Sequence, residues 1–189
     1  MRNFFTAFLC CFIIGQAIPR VNSWKSKPSP DHAGIDDEIR SFEVMYRLDA
    51  TANRIFFDKP VSIGFSSIKT KSKSEAVVGL CTYGANFREI DVDRNYWDKS
   101  TWITRRTLIY HEMIHCFCGR DHTFKGGTYP EADVMMKKKK NTAPYLMQPG
   151  YMADGCPMSI MYPYVLKDDC VSKHWDIYDK EMFEDCKPY

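Results

Sequence analysis

The feature that most constrains this chain is a pair of histidines inside a segment with helical spacing. Apolar residues recur every three or four positions from Ser100 to Cys118, which predicts a helix that Ser100 or Thr101 caps. Within it the sequence His111-Glu112-Met113-Ile114-His115 matches the pattern H-E-x-x-H. Residues four apart share one face of a helix, so both imidazoles can point at one metal ion.

This arrangement of residues is typical of a catalytic zinc site. Zn²⁺ accepts imidazole nitrogen and lowers the pKa of a bound water molecule to about 7. Glu112 directly follows the first histidine and can reach that water without binding the metal itself. It would take the proton as the water attacks a peptide carbonyl and pass it to the leaving amine. The motif therefore predicts a hydrolase with one zinc ion and Glu112 as its general base and acid.

The remaining apolar patterns indicate an α+β protein. Ile35 to Tyr46 have helical spacing, Val61 to Phe65 alternate as in a strand, and Ala76 to Tyr83 resemble a second strand. Arg88 to Asp93 alternate apolar with charged residues, which predicts an edge strand. After a long irregular stretch, Ile177, Met182 and Phe183 predict a short C-terminal helix. The order of helix, strands, helix, long loop and helix is that of an α+β domain.

Two segments beyond the histidine pair bear on a third metal ligand. A catalytic zinc site needs three protein ligands and an open fourth position. The predicted helix is followed by Gly119-Arg120-Asp121-His122, where the glycine would end the helix, and Ser159-Ile160-Met161-Tyr162-Pro163 comes later. Together with H-E-x-x-H, these segments resemble the metzincin metallopeptidases, which pair H-E-x-x-H-x-x-G-x-x-H with a downstream Met-turn.

The resemblance implies a fold and a set of site residues. It implies a metzincin-like zincin with a small twisted sheet, an active-site helix, a Met-turn and a C-terminal helix. Met161 would be the methionine beneath the metal, and the matrixin-like residues Tyr162, Pro163 and Tyr164 would form a wall of the substrate pocket. An extended substrate would pair with the edge strand, for which Arg88–Asp93 is the candidate and an ordinary solvated edge is the alternative. The match covers residues 111–163, with a looser pattern back to about residue 35.

This chain departs from the metzincin pattern at the third ligand. Gly119 and His122 both come one residue late, as if one residue were inserted before the turn. Asp121 therefore occupies the usual register of the third ligand, and some metzincins use Asp there. Imidazole is the commoner zinc ligand, so we favour His122 and keep Asp121 as the alternative.

The N-terminal segment indicates export. Arg2 is followed by an apolar run from Phe4 to Ile14 and then by Ala17, which predicts a signal peptide over residues 1–17, cleaved somewhere in 17–23. Residues 18–34 have the composition of an extended lead-in or a short pro-segment, and 35–189 would form the metallopeptidase domain. The apolar run is too short for a membrane span. We therefore expect a secreted protein.

Six cysteines follow the predicted signal peptide, and in an exported chain they predict three disulfides. The spacing alone leaves fifteen ways to connect them. A bond between Cys116 and Cys156 would tie the active-site helix to the Met-turn. The other pairs would then be Cys170 with Cys186 and Cys81 with Cys118.

The charge of the chain bears on its partners. The formal net charge is +2, which does not favour nucleic acid, and Lys137–Lys140 are interpreted as part of a solvated loop. We expect a monomer that acts on a protein or peptide substrate. The function predicted is that of a secreted zinc-dependent endopeptidase. The alternative is a catalytically silent, metzincin-like secreted binding module, against which the presence of Glu112 argues.

Overall fold

The structure, a computed structural model, describes residues 34–66, 68, 77–129, 150–184 and 186. They form a mixed α+β fold, the class that the sequence predicts, with four helices and a small sheet. The helices are α1 (Asp37–Ala52), α2 (Arg94–Lys99), α3 (Trp102–Cys118) and α4 (Asp168–Glu184). The strands are β1 (Ser62–Ser66), β2 (Gly79–Tyr83), β3 (Arg88–Asp93), β4 (Thr123–Phe124) and β5 (Gly127–Thr128). The predicted signal peptide and Lys137–Lys140 lie outside the described residues.

The helices follow the sequence pattern with two differences. Helix α1 begins after Asp36, whose side chain caps the helix by accepting a hydrogen bond from the Glu38 N–H. Helix α2 was not predicted, because six residues are too few for a periodic pattern. Helix α4 is longer than the short helix predicted, and its backbone departs from helical angles at His174. None of the helices in the described ranges has the length and apolar character needed to cross a bilayer.

The prediction that Arg88–Asp93 is an edge strand is wrong. This segment is β3, the central strand of a three-stranded sheet, which pairs in parallel with β1 and antiparallel with β2. Of the charged residues that suggested an edge, Arg88 and Glu89 are buried, whereas Asp91 and Asp93 are only partly buried. Arg88 donates from Nε to the carbonyl of Cys116 at 2.8 Å. Among the described strands the antiparallel edge is β2.

The core places α3 between the sheet and the other long helices. Tyr46 of α1 packs edge-on against Tyr110 of α3, with ring centroids 5.2 Å apart. Ile90 of β3 and Met113 of α3 are completely buried in the same core. Burying each such side chain stabilises the fold by about 1.5–3 kcal/mol. His111 and His115, on another face of α3, are only partly buried. Packing of the core face therefore fixes the direction in which the two histidines project.

Three disulfides join cysteines of the described part of the chain, as predicted, but their connectivity differs from the one that the sequence suggested. The bonds are Cys81–Cys116, Cys118–Cys186 and Cys156–Cys170. Cys170 and Cys186 lie 16 residues apart at the two ends of α4, about 24 Å along a helix, and cannot pair. Cys116 and Cys118 project in different directions from α3, so one reaches β2 and the other reaches the end of α4. Three disulfides favour an oxidising compartment.

Candidate metal centre

Helix α3 carries the first two histidines on one face. Its N-cap is Thr101, whose hydroxyl accepts from the Thr104 N–H at 3.1 Å. The helix ends at Gly119, which has φ 60° and ψ 24°. Glycine adopts this left-handed conformation without the steric cost that a Cβ imposes. The chain turns there, and His122 comes to lie against His111 and His115.

The three histidines form a compact cluster. A ring nitrogen of each lies within 4.8 Å of a ring nitrogen of the other two. The Nε2 atoms of His111 and His115 are 3.0 Å apart. Two imidazole nitrogens bound to one tetrahedral zinc at 2.0–2.1 Å are about 3.3 Å apart. The spacing therefore fits a single small cation between these rings.

The opposite nitrogens of the two α3 histidines are held by backbone carbonyls. The Nδ1–H of His111 donates to the Ile160 carbonyl at 2.8 Å, and that of His115 donates to the Arg120 carbonyl at 2.6 Å. With the proton on Nδ1, the Nε2 of each ring has a free lone pair toward the cluster. Metal-binding histidines are commonly oriented in this way by a partner on the other nitrogen.

Burial keeps the three imidazoles in the neutral form that binds a metal. Loss of hydration lowers the pKa of His111 well below its usual value, and the neighbouring imidazoles add to this effect. Burial likewise lowers the pKa of His115 to about 4, and that of His122 falls for the same reason. Metal binding at neutral pH then needs no proton to be released from these rings.

Asp121, the alternative third ligand, is not part of the cluster that the described residues form. Its carboxyl is partly buried, and this burial raises its pKa. The backbone of His122 is instead fixed by the β4–β5 hairpin, because its carbonyl accepts from the Tyr129 N–H at 2.8 Å. The structure thus brings His122, and not Asp121, beside His111 and His115.

Glu112 lies buried between α3 and strand β2. Its Oε2 accepts a hydrogen bond from the Cys81 N–H at 2.9 Å. Burial raises the pKa of Glu112 to about 8, and the Cys81 hydrogen bond opposes that rise. The Cys81–Cys116 disulfide joins the same strand to the residue after His115. The carboxyl group is therefore held in a fixed orientation against strand β2.

Gly79 leaves the room that this orientation requires. A Cβ at Gly79 would lie 2.6 Å from the Oε1 of Glu112, well inside van der Waals contact. For the peptide cleavage that the sequence predicts, we expect Gly79→Ala to displace the carboxylate and to lower kcat/KM by about 100-fold, the effect of a misplacement near 1 Å. Zinc affinity should stay close to that of the wild type.

A double-mutant cycle provides the control for this prediction. If Gly79→Ala acts through the carboxylate, adding it to Glu112→Gln should cost much less activity than it costs the wild type. An equal loss in both backgrounds, or a parallel loss of zinc affinity, would show that the alanine disturbs the fold instead.

The predicted Met-turn lies directly against the histidine site. The Ile160 carbonyl that holds His111 belongs to the residue before Met161. The turn is closed by hydrogen bonds from the Met161 N–H to the Ser159 hydroxyl at 3.0 Å and from the Tyr162 N–H to the Ser159 carbonyl at 3.2 Å. Met161 itself is completely buried. Two segments of the chain thus meet through the His111–Ile160 bond, which joins residues 49 positions apart in sequence.

Two of the three expected pocket residues, Tyr162 and Tyr164, belong to a group of tyrosines. Tyr162, Pro163 and Tyr164 are all partly buried. The ring of Tyr162 lies 5.2 Å from that of Tyr129, and its hydroxyl accepts from Tyr151 at 3.1 Å. Sequence reasoning missed Tyr129 and Tyr151, which lie inside the irregular stretch from residue 123 to residue 155, where no pattern marks them.

A second group of metal-ligand residue types does not form a comparable centre. Asp154, Cys156 and His174 lie close together. Cys156 is bonded to Cys170 and has no thiolate to offer. Asp154 instead pairs with Lys173 at 2.5 Å and with His174 at 2.7 Å. The group links α4 to the segment that leads into the Met-turn.

Comparisons with protein-family models, with curated proteins and with solved structures found no match for this chain.

Proposed function

We propose that the chain is a zinc-dependent endopeptidase of the metzincin type. The observation that carries the proposal is the convergence of His111, His115 and His122, with His111 held by the carbonyl that precedes Met161. A chance H-E-x-x-H on a surface helix has no reason to meet a third histidine and a distant methionine turn. The donor set of three neutral imidazoles fits Zn²⁺ and leaves one coordination position open.

The chemistry divides between the metal and Glu112. A zinc ion bound by the three histidines would lower the pKa of a water molecule and polarise the peptide carbonyl. Glu112 is the residue that moves the proton, which its carboxylate takes from water and returns to the amine nitrogen of the leaving peptide. The Cys81 N–H keeps one carboxylate oxygen occupied, so the other can serve in this transfer.

Strand β2 is the candidate for binding the substrate main chain. It pairs with β3 on one side and is at the edge of the described sheet. It also contacts Glu112, so a peptide added along its outer side would run past the proton-transfer group. The tyrosines around Tyr162 are the candidate wall for a substrate side chain. The disulfides support a secreted enzyme, and we expect it to act as a monomer.

The test combines metal analysis with cleavage of a peptide library by the purified protein. We expect a single zinc ion per chain. Cleavage should fall to background when 1,10-phenanthroline removes the metal and return when zinc is added. Absence of zinc, together with cleavage that the chelator does not affect, would overturn the proposal. Bound zinc with no cleavage of any peptide would instead support a secreted binding module.

A further inference from the structure

One carboxylate on α4, that of Glu181, contacts two segments of the histidine site at once. Its Oε1 forms a salt bridge with the guanidinium of Arg120 and accepts a hydrogen bond from the Ser159 hydroxyl at 2.9 Å. The side chains of Glu181 and Arg120 are only 11% and 9% exposed. Glu181 lies in the C-terminal helix, far from the motif in sequence, and the proposed chemistry does not use it.

The first contact reaches His115 through the main chain of Arg120. The Arg120 carbonyl accepts the Nδ1–H of His115. The guanidinium of Arg120 also donates to the carbonyls of Glu181 and Met182 at 3.0 and 3.3 Å. The side chain of Arg120 is thus anchored to α4 at several points, and this anchoring fixes where its carbonyl lies.

The second contact reaches His111 through the Met-turn. The Ser159 hydroxyl that donates to Glu181 also accepts from the Met161 N–H at 3.0 Å. Ile160 lies between Ser159 and Met161 in the sequence and supplies the carbonyl that holds the Nδ1–H of His111. Both carbonyls that orient the α3 histidines therefore belong to segments held by the same oxygen of Glu181.

We propose that Glu181 is a positioning residue that sets the orientation of His111 and His115 from α4. The inference rests on the proposed function, since it concerns how the zinc ligands are held. A buried ion pair is a weak source of net stability, because desolvation of the two charges offsets their attraction. Fixing the geometry of the two carbonyls is the role that the contacts of Glu181 support.

The test compares Glu181→Gln with Asp154→Asn. Asp154 also links α4 to the segment before the Met-turn, through Lys173 and His174, but contacts neither Arg120 nor Ser159. The metal-free proteins are measured for thermal unfolding. Their zinc affinity is measured by competition with a chromophoric chelator, and the absorption spectrum of the Co²⁺ forms reports the ligand geometry.

We expect Glu181→Gln to weaken zinc binding by about tenfold or more and to change the Co²⁺ spectrum, as loss of groups that orient metal ligands does. Asp154→Asn should keep wild-type zinc affinity and spectrum even if it unfolds at a lower temperature. If Glu181→Gln does not fold, Glu181→Asp carries the same test, because its shorter side chain keeps the charge but not both contacts.

Two negative results are distinguishable. Zinc affinity and a Co²⁺ spectrum in Glu181→Gln equal to those of the wild type, or changes no larger than in Asp154→Asn, would overturn this inference and leave the proposed function intact. A wild-type protein that binds no zinc would overturn the proposed function and this inference with it.

Discussion

Replacing His122 with alanine is expected to weaken zinc binding by more than about 100-fold and to reduce peptide cleavage to background. Loss of a residue that only orients a ligand costs about 10- to 100-fold in metal affinity, so loss of a ligand should cost more. The ring of His122 lies within 5.3 Å of both α3 histidine rings, centroid to centroid, and one of its nitrogens belongs to the cluster. The two remaining imidazoles cannot complete a three-ligand site.

Asp121→Ala is the matched control for this substitution. Asp121 is the adjacent residue and shares the turn after Gly119, but its carboxylate lies outside the histidine cluster. We expect the zinc affinity of the Asp121→Ala protein to stay within a few-fold of that of the wild type. The measurement is competition with a chromophoric chelator, together with zinc content after gel filtration. Loss of zinc from Asp121→Ala, with retention by His122→Ala, would assign the third ligand to Asp121.

The histidine site illustrates what local sequence can predict. The position of His111 and His115 on one face follows from helical spacing, and the end of α3 at Gly119 follows from the conformational freedom of glycine. The choice between Asp121 and His122 depends on how the chain leaves that turn. The β4–β5 hairpin and the bond from Tyr129 to His122 determine this, and neither has a sequence pattern strong enough to predict.

The incorrect predictions about the sheet and the disulfides have a common physical origin. Arg88 and Glu89 look like residues of a solvated edge, yet their strand pairs with β1 on one side and β2 on the other and both side chains are buried. Arg88 contacts the Cys116 carbonyl of α3. Alternation identified the strand but could not identify its neighbours. Disulfide connectivity depends in the same way on which elements pack together, and so does the role of Glu181. Contacts between distant segments leave little trace in a single sequence.

Replacing Glu112 with glutamine is expected to lower kcat for peptide cleavage by about 100- to 10,000-fold, the usual contribution of a positioned acid–base group. Glutamine has nearly the shape of the glutamate, and its side-chain oxygen can still accept from the Cys81 N–H. The neutral amide has no proton-accepting carboxylate. The substitution should therefore remove proton transfer while leaving the surrounding structure in place.

Zinc content separates this effect from damage to the metal centre. The three histidines and their carbonyl partners do not include Glu112, so Glu112→Gln should bind zinc with nearly wild-type affinity. Activity is measured with the best peptide from the library, at matched zinc occupancy. Cleavage that remains within tenfold of the wild type would exclude Glu112 as the proton-transfer group. Loss of zinc in parallel with activity would mean that the buried carboxyl supports the site structurally, and its catalytic assignment would then have to be withdrawn.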